Sequence, residues 1–334
     1  MPSPDWTCWL DLPKIELHLH VAGSVRPATM RAFVEADGLD AWLWKAYETA
    51  QIWEGLPAYL ARFAAWDAAV GSPERLARVV AELCDDLAAD GVIYAELRLR
   101  PPTDDDGRWD ALVEAAVHAG QGSSSAVRIA FISVLQRGWS AERAQREARR
   151  AARWAGRGVV ALDVVGDETR GGAEPLVEAM ALARACGLGI TAHAGEGAGP
   201  ESVREALRLF EPSRIAHGVR AVEDPATVET LRERGVHLEM TLTSNVQTGC
   251  VQSVERHPFA DLLRAGLSVS LSTDNRTISG TTLSREYARA ADELWLSRAD
   301  LACATRLAAR AVFLPPTETA ELVERIDRGW GPTP

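Results

Sequence analysis

The chain has 334 residues, 47% hydrophobic and 25% charged, with a formal net charge of −11. This composition excludes a mostly disordered polymer and a small disulfide-stapled scaffold, and it supplies ample apolar material for a large core. So acidic a surface repels phosphate backbones, which argues against nucleic-acid binding, and no stretch approaches the ~20 continuous apolar residues of a membrane span.

The N-terminal run MPSPDWTCWLDLPKIELHLH has no basic segment followed by an apolar one, so it does not read as a secretory signal. Cys8, Cys84, Cys186, Cys250 and Cys303 are scattered and form no C-x-x-C pair. A reduced, cytoplasmic protein is the simplest expectation.

The first strand expected is Ile15–Val21. It carries His18-Leu19-His20, and residues two apart on a strand face the same side, so two imidazoles can grip one ion. A long connection follows, helical over Pro27–Ala36 and Trp-rich from Ala41 to Trp66. Its apolar residues Trp42, Trp44, Ile52, Trp53, Leu56, Tyr59, Phe63 and Trp66 either form a lid or pack that subdomain internally. A helix is expected over Ser72–Ala89, with Ser72 as its cap.

Further strands are expected at Val92–Leu99, Arg128–Leu135, Val159–Val165, Gly189–Ala194, Arg214–Gly218, His237–Thr243 and Leu267–Thr273. Thr103–Gly107 reads as a solvated loop. Helices are expected at Ser140–Arg153, Glu174–Cys186, Pro200–Leu209, Asp224–Arg234 and Pro258–Ala265. Eight strands alternating with helices predict an α/β fold, a (β/α)8 TIM barrel, with an open doubly wound sheet as the alternative. One domain then spans residues 1–334, with 27–75 as a helical lid insertion after the first strand. No G-x-G-x-x-G or P-loop follows that strand.

The chemistry-bearing residues fall where strands end, the catalytic face of a barrel. The fifth strand runs into His193-Ala194-Gly195-Glu196, the sixth into His217-Gly218 and the eighth into Asp274-Asn275. Three His and one Asp suit Zn2+ with room for a water. The fourth strand holds no Lys to bridge two metals, which favours a single ion. A base and an acid are then required, and His217 and Glu196 are the unassigned candidates. His118, His237 and His257 read as structural or surface residues.

Taken together, LPKIELHLH, GVIYAELRLRP, ALDVVGDE, TAHAGE, RIAHGV, TSNVQTG and SLSTDN resemble the motifs of the adenosine deaminase family, in family order and across most of the chain. The resemblance implies one Zn2+ per chain, held by His18, His20, His193 and Asp274. It implies that His217 orients and deprotonates the zinc-bound water and that Glu196 protonates purine N1 as C6 is attacked. It further implies Gly195 as a backbone donor to N3, Gly166 as a lining glycine and Asn275 as a contact to N7. The substrate would be a small-molecule purine nucleoside, deaminated with release of ammonia, and no protein partner is indicated.

The chain departs from the family where Ala22 replaces the usual acid that holds the ribose 5′ end. A methyl group cannot hydrogen-bond a 5′-hydroxyl. A 5′-modified nucleoside, such as aminodeoxyfutalosine, a 5′-thioadenosine or a 5′-deoxynucleoside, is therefore an alternative to adenosine and 2′-deoxyadenosine. Two other readings remain at this point: a mononuclear metal hydrolase acting on a non-purine, and a binding protein with a dead site.

Overall fold

The computed structural model describes residues 5–45, 47–48, 56–122, 126–170 and 172–331. Eight parallel strands form one sheet in chain order: β1 (Lys14–His20), β2 (Val92–Leu99), β3 (Arg128–Gln136), β4 (Val159–Val165), β5 (Gly189–Ala194), β6 (Arg214–His217), β7 (His237–Met240) and β8 (Val269–Leu271). A bridge between Leu19 and Asp274 joins the end of the sheet to its start. This is the closed α/β barrel, not the open doubly wound sheet.

Helices cover the sheet from outside, which is why the strands read as nearly continuous apolar runs. Every residue of β2 is buried. The predicted cap is in place, Ser72 accepting from Arg75 N, and two further helices are capped in the same way, Ser140 accepting from Arg143 N and Asp224 from Ala226 N. Each satisfies a backbone donor that the first helical turn leaves without a partner.

Several boundaries differ from the sequence expectation. The seventh strand stops at Met240, and a short helix over Leu242–Gln247 begins where a strand was expected to continue. The eighth strand is only Val269–Leu271. The loop expected to end at Gly107 instead passes into a helix at Asp106–Gly122. The C-terminal helices Leu283–Glu293, Arg298–Arg310 and Pro316–Trp330 were not anticipated. The last of them closes the far end of the barrel, where Trp330 Nε1 donates to Pro13 O.

Between β1 and β2 the chain forms helices at Pro27–Ala36, Trp42–Lys45, Leu56–Leu60 and Ala64–Ala69 before the long helix Pro73–Ala89. Of the aromatics expected to form a lid, Trp44, Tyr59 and Trp66 are buried and Trp42 is exposed. Ile52 and Trp53 lie outside the described residues. No described helix is long and apolar enough to cross a membrane.

Candidate functional site

The strand alternation places His18 and His20 on one side of β1, and the ends of β5, β6 and β8 bring His193, His217 and Asp274 beside them. His18 Nε2 and His20 Nε2 are 3.3 Å apart, as are His20 Nε2 and His193 Nε2. Asp274 Oδ1 is 3.4 Å from both His18 Nε2 and His20 Nε2. These four contacts are of the length that neighbouring donors of one ion make, about 3 Å or a little more for bonds of ~2.0–2.1 Å, and three imidazoles with one carboxylate are donor types that zinc accepts. The backbone takes strain to make the cluster: Asp274 has φ 59° and His217 φ 66°, the left-handed region that non-glycine residues rarely occupy.

The outer imidazole nitrogens meet a buried charge network. His193 Nδ1 is 3.1 Å from Asp163 Oδ2, and His18 Nδ1 is 3.5 Å from Glu239 Oε2. Arg98 joins the two carboxylates, donating from Nε to Asp163 and from Nη2 to Glu239, and its Nη1 donates to Leu17 O at 2.7 Å. Arg214 pairs Glu239 with Glu96 on the other side. All these groups are buried. Carboxylates behind ligating imidazoles set ring orientation and basicity.

Electrostatics separates the acids. Burial pushes Glu196 well above the usual carboxyl range, and the negative charges of Asp274 and Glu168 add to the effect. Burial alone would raise Asp274 too, but the hydrogen bond from His18 and the surrounding imidazoles hold it well below. Burial lowers His20 and His217 to about 3. Glu196 Oε2 faces His217 Nε2 at 3.4 Å.

These groups line a cavity of about 290 Å³ whose wall also includes Ala22, Leu56, Tyr59, Phe63, Trp66, Arg100, Gly166 and Asn275. A pocket of roughly that size suits a small ligand. Asn275 Nδ2 donates to Tyr59 Oη at 2.8 Å, while Asn275 Oδ1 is buried with no partner. That oxygen lies against Gly23, where a Cβ would collide with it.

Gly195 sits elsewhere than expected. It is buried behind the cavity wall, and its N–H donates to Glu168 Oε2 at 2.8 Å. That donor is committed within the protein, so the expectation of a purine N3 contact is corrected, whereas Gly166 does line the cavity. Glu168 also accepts from Glu196 N at 3.0 Å, Gly197 N at 3.1 Å and Ser202 Oγ. Successive N–H groups around one anion form a nest. Here the anion is a side chain, and it fixes the backbone that carries Glu196.

Glu168, Arg98, Asp163 and Glu239 had no role in the sequence reading. For Arg98, Asp163 and Glu239 the signal was present, a charged residue inside an otherwise apolar buried strand, as in VIYAELRL, VVALDVV and HLEM; Glu168 lies in the turn after the fourth strand and carried no such signal. Of the three histidines set aside, His237 is held between Ser268 and Ser270 at 2.8 and 2.9 Å, away from the cluster. Lys14 lies at the opposite end of the barrel, with Nζ donating to Trp9 O and to Leu12 O at 2.8 Å, so it bridges no metals.

Comparison with known proteins gives consistent matches. The family model described as "Adenosine deaminase" matches residues 13–329. The adenosine deaminase of Klebsiella pneumoniae (strain 342) is 34% identical, over 95% of this chain and 98% of the relative. That of Serratia proteamaculans (strain 568) is 33% identical, over 94% and 98%. The Arabidopsis N6-mAMP deaminase superposes with a TM-score of 0.86 at 26% identity, covering 96% of this chain and 99% of that one. A zinc-bound amidohydrolase from Burkholderia ambifaria gives 0.89 at 22% identity, over 99% and 96%, a likeness of fold alone.

Proposed function

This chain belongs to the adenosine deaminase family, and on that premise we propose that it hydrolytically deaminates adenosine or 2′-deoxyadenosine, releasing ammonia, with one Zn2+ per chain. The family brings a divalent metal with it. The choice of zinc rests on the donor types, three imidazoles and one carboxylate, with neighbouring donor atoms 3.3–3.4 Å apart. When bound, the ion supplies Lewis acidity that brings a water toward ionisation near neutral pH.

The protein's own groups divide the remaining work. Glu196, held protonated by burial and neighbouring negative charge, donates to purine N1 and makes C6 electrophilic. His217, facing Glu196 in the same cavity, orients the attacking water. Gly166 and Asn275 lie on the cavity wall where a base can meet them. Arg98 and Glu168 act behind these groups, one on the imidazoles and one on the Glu196 backbone. Residues 1–334 act as one barrel domain, with 27–75 as the insertion that supplies Leu56, Tyr59, Phe63 and Trp66 to the cavity.

The observation that carries this reading is the convergence of four metal donors, three of them on the wall of one cavity, with one protonatable carboxyl on the same wall. The test is a loss-of-absorbance assay on zinc-loaded protein with adenosine and 2′-deoxyadenosine. Turnover with one zinc per chain is expected, and inactivity toward every 6-aminopurine nucleoside would overturn the reading.

One observation favours a second substrate reading: Ala22 lines the cavity and offers only a methyl group where a 5′-hydroxyl would seek a partner. The same assay with 5′-deoxyadenosine, a 5′-thioadenosine and aminodeoxyfutalosine decides it. A tenfold preference for one of these, about 1.4 kcal/mol of transition-state discrimination, would assign the enzyme to 5′-modified nucleosides.

A further inference from the structure

His257, which the sequence places among structural histidines, is connected to the site by hydrogen bonds. It is buried, and its Nδ1 accepts from Phe259 N at 3.2 Å. A backbone N–H can only donate, so this nitrogen carries no proton. The proton of the neutral ring is therefore on Nε2, which lies 3.1 Å from Asn245 Oδ1. A second backbone donor, Thr241 N, points at the same oxygen at 3.4 Å. Two donors on one terminus fix the orientation of the Asn245 amide.

The other terminus, Nδ2, is 3.1 Å from His217 Nδ1. An amide NH2 can only donate, so His217 Nδ1 is an acceptor. The remaining neighbour of that nitrogen, Thr241 Oγ1 at 3.2 Å, is a hydroxyl that serves either arrangement. A doubly protonated ring would set N–H against N–H, so the geometry selects the neutral ring with its proton on Nε2. That nitrogen is the one facing Glu196 Oε2 and the cavity.

We propose that Asn245 and His257 are positioning residues that lock His217 in the Nε2–H tautomer. His217 then meets the attacking oxygen as a hydrogen-bond donor. It orients the oxygen and stabilises the negative charge that develops there, instead of offering it a lone pair. This deepens the function proposed above and revises the role the family resemblance implies for His217.

Two measurements test it. The first is imidazole 15N chemical shifts in labelled, zinc-loaded protein, with the His217 signals identified by their loss in His217→Gln. A protonated Nε2 and bare Nδ1 are expected, and a protonated Nδ1 overturns the proposal whether or not the enzyme deaminates nucleosides. The second is Asn245→Asp, which keeps an acceptor for His257 and Thr241 but forces His217 to donate from Nδ1. A kcat loss of about 100-fold or more is expected, with KM within threefold and zinc retained; a wrong tautomer costs a catalytic triad about 10⁴-fold. Retention of kcat within tenfold overturns the proposal. If that variant does not fold, the spectrum of the parent protein decides alone.

Discussion

Two walls face each other across the cavity, and they are built of unlike material. The barrel wall consists of buried strand ends, and several of its polar groups are backed from behind: His18 and His193 by carboxylates 3.5 and 3.1 Å from their Nδ1 atoms, His217 by a hydrogen bond from Asn245, and the Glu196 backbone by Glu168. The facing wall comes from residues 56–69 and is mainly apolar, with Leu56, Leu60, Phe63 and Trp66 beside Tyr59. Its fixed points are Tyr59, bonded to Ser279 and Asn275, and Trp66, whose Nε1 donates to Arg100 O. The first wall holds its groups to hydrogen-bond tolerances, as bond-making requires. The second provides shape, which can change without disturbing the reaction.

On that division, changes to the barrel wall should reach kcat and the metal, and changes to the facing wall should reach KM. The largest effect is expected for Glu196→Gln: turnover should fall about 10³-fold with zinc content unchanged, since a positioned acid contributes ~10²–10⁴. In the parent enzyme, kcat/KM should fall as pH rises through the elevated value of Glu196, because only its protonated form can donate. A near-native rate for the variant would remove Glu196 as the acid.

Next is Glu239→Gln, which weakens the support behind His18. Zinc affinity measured against a competing chelator should fall ~10–100-fold, the usual consequence of losing such a partner. Unchanged affinity would mean that the charge network serves folding alone. Ala22→Asp should raise kcat/KM for adenosine relative to a 5′-deoxynucleoside by about tenfold, the scale of one hydrogen bond to a charged group. A constant ratio would place the sugar's 5′ end elsewhere.

Phe63→Ala should give the smallest change, with KM up about threefold to tenfold and kcat within a factor of two, as expected when binding shared by ground and transition states is lost. A collapse of kcat there would erase the distinction between the walls.

The same division explains what could be read from the sequence. The strands and their terminal His and Asp residues were legible, because a buried parallel strand is an apolar run and polar groups at its end stand out. His18, His20, His193, His217, Glu196 and Asp274 are all brought together. The supporting groups were harder to see because their partners are far apart in sequence: Arg98 reaches Asp163 and Glu239, and Glu168 reaches the turn at Gly195–Gly197. The Gly195 expectation failed for this reason, since its N–H is taken by a carboxylate 27 positions earlier in the chain. The helix Leu242–Gln247 was missed because TLTSNVQ is rich in β-branched residues, whereas its placement is set by packing at the mouth of the barrel.

Asp274 closes the ring as well as facing the cavity. Its N–H donates to His18 O at 2.9 Å and its carbonyl accepts from His20 N at 2.7 Å, beside an eighth strand only three residues long. The thinnest seam of the barrel therefore runs through a proposed metal ligand. An ion bound there would act as a clasp as well as a reagent, because its binding free energy adds to that of the folded state. Chelation should loosen the molecule first at this seam, with backbone amides of His20 and Asp274 exchanging with solvent before those of β2 or β3. The lifetime of the protein in a metal-poor cell would then be set by how often the barrel opens along that line.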